Sequence, residues 1–268
     1  MKRAAYFISH GAPSLPLQQT PARFFLEGLG RQIEASRGGP PDAILCISAH
    51  WGTRNPTIST AKTPATLHDF YGFPSELYRL NYPAPGAVDA AQRAQGLLNA
   101  AGFECQSDPA QGLDHGAWNP LLLMWPEAKI PVAQIAIQPD FGPAHHLAMG
   151  RALAPLVSEN ILLLASGGAV HNLSELGPLN QPAPGWAVEF DDWLAAALLA
   201  CDTNRLVDYR RCAPHATRAH PHDEHLLPLF VALGAAGEAY QLERLHRGFE
   251  FGALSLAAFA FYPANQIS

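Results

Sequence analysis

The chain has 268 residues, 48% hydrophobic and 15% charged, enough apolar material for a large buried core without a disulfide or metal staple. A net charge of -6 with histidine neutral gives no electrostatic reason to expect nucleic acid or an anionic membrane as partner, and a small molecule is expected instead. Cys46, Cys105, Cys201 and Cys212 form no CxxC pair and no signal peptide follows Met1, which reads as reducing cytoplasm; no apolar run reaches the roughly 20 residues that cross a bilayer.

The first apolar run, Ala4 to Ile8, reads as a strand covered on both faces, as do Ala43 to Ile47, Val132 to Ile137 and Ile161 to Ala165. Between them, Ala87 to Ala101 places Val88, Ala91, Ala94, Leu98 and Ala101 on one helical side, and Pro143 to Val157 aligns Leu147, Leu153 and Leu156. The aromatic stretch His68 to Pro85 and the connection Gly177 to Gly185 read as long ordered loops, and Leu254 to Phe261 as one more strand. The alternation predicts one domain over residues 1–268: an α/β fold, a three-layer α/β/α sandwich around a largely parallel or mixed central sheet.

Twelve histidines are many for this length, and their placement is informative. His10, His50 and His171 each follow a predicted strand by a few residues, and in a parallel sheet those ends face one crevice. His115, in Leu113-Asp114-His115-Gly116-Ala117-Trp118, and His225, opening the apolar helix of Glu224-His225-Leu226-Leu227-Pro228-Leu229, lie on no core stripe. A lone loop histidine is usually structural, but five converging on one edge suit an open metal site for Fe, Zn, Cu or Ni. Among the rest, His145 and His146 read as solvated, His220 and His222 as rim residues, and His68 with Phe70, Tyr71, Phe73, Tyr78 and Tyr82 as a wall for a flat ring. Ser166-Gly167-Gly168 is no nucleophile elbow, because Leu164 stands where its first glycine belongs.

Taken in order, Ser9-His10-Gly11, Ser48-Ala49-His50-Trp51, His68-Asp69-Phe70-Tyr71-Gly72-Phe73-Pro74, Tyr82-Pro83-Ala84-Pro85-Gly86, Leu113-Asp114-His115-Gly116-Ala117-Trp118, Val170-His171-Asn172 and the Glu224 to Leu229 segment resemble the motifs of the DOPA-type extradiol aromatic ring-opening dioxygenases. That resemblance implies His10, His50 and His225 as metal ligands, His171 as a fourth ligand or an acid/base, and His115 as a contact to substrate or dioxygen. Phe70, Tyr71, His68 and His220 are the expected substrate-binding residues. The implied cofactor is Fe(II), with Zn expected in the purified protein; the implied partners are a catechol and O2, in a monomer or small homo-oligomer. The usual Fe(II) triad is two histidines and one carboxylate; here the third position is His225, and the side chain of Glu224 is expected to point elsewhere on a helix. The competing readings are a zinc hydrolase using the same cluster and a catalytically silent metal-binding protein.

Overall fold

The structure is a computed structural model that describes residues 2–264. Strands β1 (Ala5–Ser9), β2 (Ala43–Gly52), β3 (Thr57–Ser59), β4 (Gln106–Asp108), β5 (Val132–Ile137), β6 (Ile161–Gly167), β7 (Tyr240–His246) and β10 (Ala258–Pro263) form one sheet in the order β4-β3-β5-β2-β6-β1-β10-β7, while β8 (Phe249–Glu250) and β9 (Leu254–Ser255) make a separate hairpin. The centre is parallel, with β2 pairing β5 and β6, and β1 pairing β6. Both flanks turn antiparallel, at β3 against β5 and at β10 against β1 and β7. The expected sandwich is therefore present with a mixed sheet.

Alternation along each strand assigns side chains to two cores. Ala5 and Phe7 of β1 join Leu45, Ile135, Leu163 and Phe259 on one face, under helices α2 (Val88–Ala100), α4 (Pro143–Leu153), α6 (Gly185–Leu199) and α10 (Leu227–Ala236). Tyr6 and Ile8 join Ile44, Leu162 and Leu164 on the other, under α1 (Pro21–Arg37) and α3 (His115–Met124). Two covered faces explain why the central strands read as unbroken apolar runs. No helix among the described residues is long and apolar enough to cross a membrane.

Four local expectations change. The Pro143 to Val157 helix breaks after Leu153, because Pro155 cannot supply an amide to continue it, and restarts as the short α5 (Pro155–Ser158). Three further short helices, α7 (Thr203–Val207), α8 (Tyr209–Cys212) and α9 (Ala216–Ala219), precede α10. The Leu254 to Phe261 run divides, its first two residues pairing with Phe249 and Glu250 and only Ala258 onward entering the sheet. His146 is fully buried rather than solvated, its Nδ1 facing the Gly142 carbonyl at 3.0 Å and its Nε2 accepting from the Gln138 amide at 3.1 Å. Helix α1 carries readable punctuation, Thr20 capping Arg23, Pro21 in the first turn and Gly38 left-handed at φ 81°, whereas β3, β4 and β7 lack an apolar run.

The β8–β9 hairpin is fixed to the body by a buried carboxylate. Asp191 of α6 is fully buried, accepts from Ser255 Oγ at 2.6 Å and pairs with Arg244 of β7, so one side chain ties helix, hairpin and edge strand together.

Helices α4 and α10 cross where two glycines meet. A Cβ on Gly234 would run into the carbonyl oxygen of Leu147, and one on Gly150 into that of Val231. Gly to Ala in a helix interior ordinarily gains about 0.5 to 1 kcal/mol, but overpacking costs about 1 to 3 kcal/mol, so Gly234→Ala is expected to lower the urea midpoint. A raised midpoint would show that the two helices separate at no cost.

Candidate functional site

The parallel register brings the carboxyl ends of β1, β6 and β2 side by side: Ser9 lies opposite Gly167, and Ser48 opposite Ser166. His10 follows β1 directly, and His50 sits where β2 slips its register against β5 between Ser48 and Gly52. His225 reaches the same edge from the turn before α10, its carbonyl accepting from the Gly168 amide at 2.8 Å. Gly167 is needed for that approach, since a Cβ there would strike the His225 carbonyl oxygen. The small residue thus admits the protein's own backbone.

The three rings converge at Nε2. His10 Nε2 stands 3.0 Å from His50 Nε2, which stands 3.3 Å from His225 Nε2. Hydrogen bonding fixes two of the tautomers. The Ser166 hydroxyl donates to the Gly116 carbonyl, so at 3.0 Å from His10 Nδ1 it accepts, and the His10 Nε2 lone pair is free. Glu224 Oε1, 3.0 Å from His225 Nδ1, likewise accepts a proton there and leaves His225 Nε2 unprotonated. Burial, reinforced by the neighbouring histidines, holds His10 and His225 well below the usual imidazole range and pushes His50 down to about 3. Ligand pairs at about 90 to 110° on bonds of about 2.1 Å stand about 3.0 to 3.4 Å apart. In spacing, neutrality and tautomer, the donor set fits a metal ion.

Two more histidines flank this set. His171 lies flat on His225, ring centroids 3.4 Å apart and planes within 6°, and burial with repulsion from His220 pushes it down to about 3. Its ring nitrogen groups with a nitrogen of His225 and a carboxylate oxygen of Glu224, not with the His10, His50 and His225 trio. His115 opens α3, its ring centroid 3.9 Å from that of His50. Asp69 Oδ1 accepts the His115 amide and Oδ2 faces its Nδ1, both at 2.9 Å. Burial raises the Asp69 pKa, but the His115 contacts outweigh it and hold the carboxyl below its ordinary value. Beneath them Asp114 caps α3 and accepts from Ser48 Oγ and Gln134 Nε2, both at 2.6 Å, joining β2, β5 and α3.

All five histidines line one cavity of about 580 Å³, walled by Phe70, Phe73, Leu173, Leu176, Phe251 and Leu254. Three of the four expected substrate-binding residues lie elsewhere, as do Tyr78 and Tyr82 of the expected wall. Tyr71 projects into solvent at 89% exposure. His68 packs behind Phe70 against Trp118, its Nε2 3.1 Å from the Leu80 carbonyl. His220 is fully buried, its Nε2 2.9 Å from the Ala169 carbonyl under the His171 loop. Glu224 departs from expectation too: α10 starts only at Leu227, so Glu224 lies in a turn and bends back onto His225. Asp69, Asp114 and Ser166 escape sequence reading; of these only Asp114 has a signal, as an N-cap residue before a helix.

Residues 4–262 match the family described as the catalytic LigB subunit of aromatic ring-opening dioxygenase. The chain is 41% identical to a 4,5-DOPA dioxygenase extradiol of Beta vulgaris across 97% of its own length and 96% of the relative's, and 37% identical to one of Escherichia coli K12 across 94% and 92%. It is also similar to the crystal structure of an uncharacterised Escherichia coli K12 protein, with TM-score 0.78, 33% identity and coverage of 97% of this chain and 99% of that one. The matched region contains the whole histidine cavity, and the chain belongs to the LigB family of aromatic ring-opening dioxygenases.

Proposed function

We propose that the cavity performs extradiol cleavage of a catechol by O2, with Fe(II) held by His10, His50 and His225, and that Zn occupies the same nitrogens when iron is scarce. The observation carrying this reading is the trio of neutral nitrogens at the floor of a cavity whose walls are apolar and aromatic. DOPA, the substrate in the names of the relatives, is the first catechol to test. Bound there, the metal supplies a site at which diol and O2 meet and exchange electrons.

The protein's own groups do the rest. Phe70 and Phe73 on one side and Leu173 and Leu176 on another take a flat ring and shed its water. His171 enters the reaction neutral, because burial holds its pKa near 3, and so has a lone pair for a phenolic proton. Negative charge developing on the diol oxygen beside it favours the imidazolium, which then returns the proton to the oxygen that needs it. His115, bound at Nδ1, presents its other nitrogen as the second proton-handling group.

Anaerobic loading with Fe(II), followed by O2 and a panel of catechols, is expected to give a yellow ring-opened semialdehyde with O2 consumed one for one. Turnover that needs no O2 and persists with Zn, with no semialdehyde formed, would replace this reading with hydrolysis. His171→Gln is expected to keep metal occupancy while lowering turnover by about 10² to 10⁴. Lost occupancy, with rate recovered by added Fe(II), would make His171 a ligand.

A further inference from the structure

The 68–85 loop carries one carboxylate toward the histidines, and its backbone is held there without their help. The Leu67 amide donates to the Leu113 carbonyl at 2.7 Å, Trp118 Nε1 donates to the Leu67 carbonyl at 2.8 Å, and Thr66 bridges to Leu113. Two residues on, Asp69 engages His115 with both oxygens, at its amide and at Nδ1, each at 2.9 Å. Asp69 also lies 3.7 Å from His50 Nδ1, beyond hydrogen-bond reach, so His115 is the ring it holds.

We propose that Asp69 is a positioning residue of the reaction: its carboxylate fixes both the tautomer and the rotation of His115, and so ties the aromatic wall of the cavity to a group that handles the proton. The proposal rests on the dioxygenase reading above. An ionised carboxylate only accepts, so Nδ1 carries a proton, and in the neutral ring Nε2 is then the nitrogen that bears the lone pair. Held at Nδ1 by a carboxylate that is itself anchored on the His115 backbone amide, the ring loses that hydrogen bond if it turns about χ2 to present carbon instead of nitrogen. Phe70 follows Asp69 directly and packs edge-on to His115, centroids 5.7 Å apart, so the segment that places the wall also sets the base.

The test is Asp69→Asn, which keeps the shape. Its amide oxygen must stay on the His115 backbone amide, so the NH2 group faces Nδ1, which then needs the lone pair, and the ring proton moves to Nε2. In 15N-histidine-labelled protein, metal-free and zinc-loaded, the imidazole correlation pattern assigned by His115→Gln is expected to switch from the Nδ1–H to the Nε2–H form. In the Fe(II) enzyme kcat is expected to fall by about 10² to 10⁴ with KM near wild type, as when a triad carboxylate is made an amide. Metal affinity should be unchanged, and Asp69→Glu should restore the wild-type tautomer and part of the rate. An unswitched His115 pattern, unchanged kcat, or loss of metal affinity would each overturn the proposal, the last by making Asp69 a ligand with His50 and His115. If the wild type cleaves no catechol, the dioxygenase reading fails, while the tautomer measurement still reports on the Asp69 and His115 pair.

Discussion

Imidazole Nε2 atoms facing one another at 3.0 and 3.3 Å crowd lone pairs that a cation would share, and the surrounding structure keeps those of His10 and His225 unprotonated. Two of the three lone pairs are kept free from behind. Ser166 spends its proton on Gly116 and so must accept from His10, and Glu224 can only accept from His225. Hydrogen bonds on the far nitrogen of a ligating histidine set its tautomer, orientation and basicity. The usual Fe(II) triad carries its carboxylate on a ligand; here the carboxylate of Glu224 stands behind the His225 ring, at its Nδ1.

Such a cluster can be assembled only on a rigid frame, and the frame is the parallel centre of the sheet. Adjacent strands ending at one level deliver His10, Ser166 and His50 with little freedom, because both faces of the sheet are packed. The buried Asp114 locks that level by joining Ser48, Gln134 and the start of α3. Burial raises its pKa, an electrostatic cost that its hydrogen bonds from Ser48 and Gln134 offset in part.

Legibility from sequence divided along these lines. His10, His50 and His171 were readable because strand ends are readable, and parallel strands put their carboxyl ends together; His115 and His225 follow no strand and were legible through the motifs that contain them. Phe70 and Phe73 were readable as wall residues, but Tyr71 and His68 in the same segment were not separable from them, since a loop has no period to say which side chains turn inward. His220 looked like rim and proved to be support, because a histidine buried on a carbonyl and one lining a crevice share the same local sequence. Glu224 was misread for a specific reason: its direction was inferred from a helix that begins three residues later. Asp69 and Ser166 touch histidines 46 and 156 residues away, and no local pattern encodes such pairings.

The hairpin clamped by Asp191 gives the cavity a division of labour. Phe251 and Leu254 reach the mouth from a segment whose buried anchor is Asp191 of α6, shared with Arg244 of β7, and whose Ser255 also pairs with Val170 just before His171. The mouth is therefore set by a segment outside the strands that lead to His10 and His50: the Phe251 to Leu254 tip can change length or bulk to admit a different ring substituent while those strands keep their pairing. Within a family of shared chemistry, divergence in diet would then be written in this hairpin before it is written in the sheet.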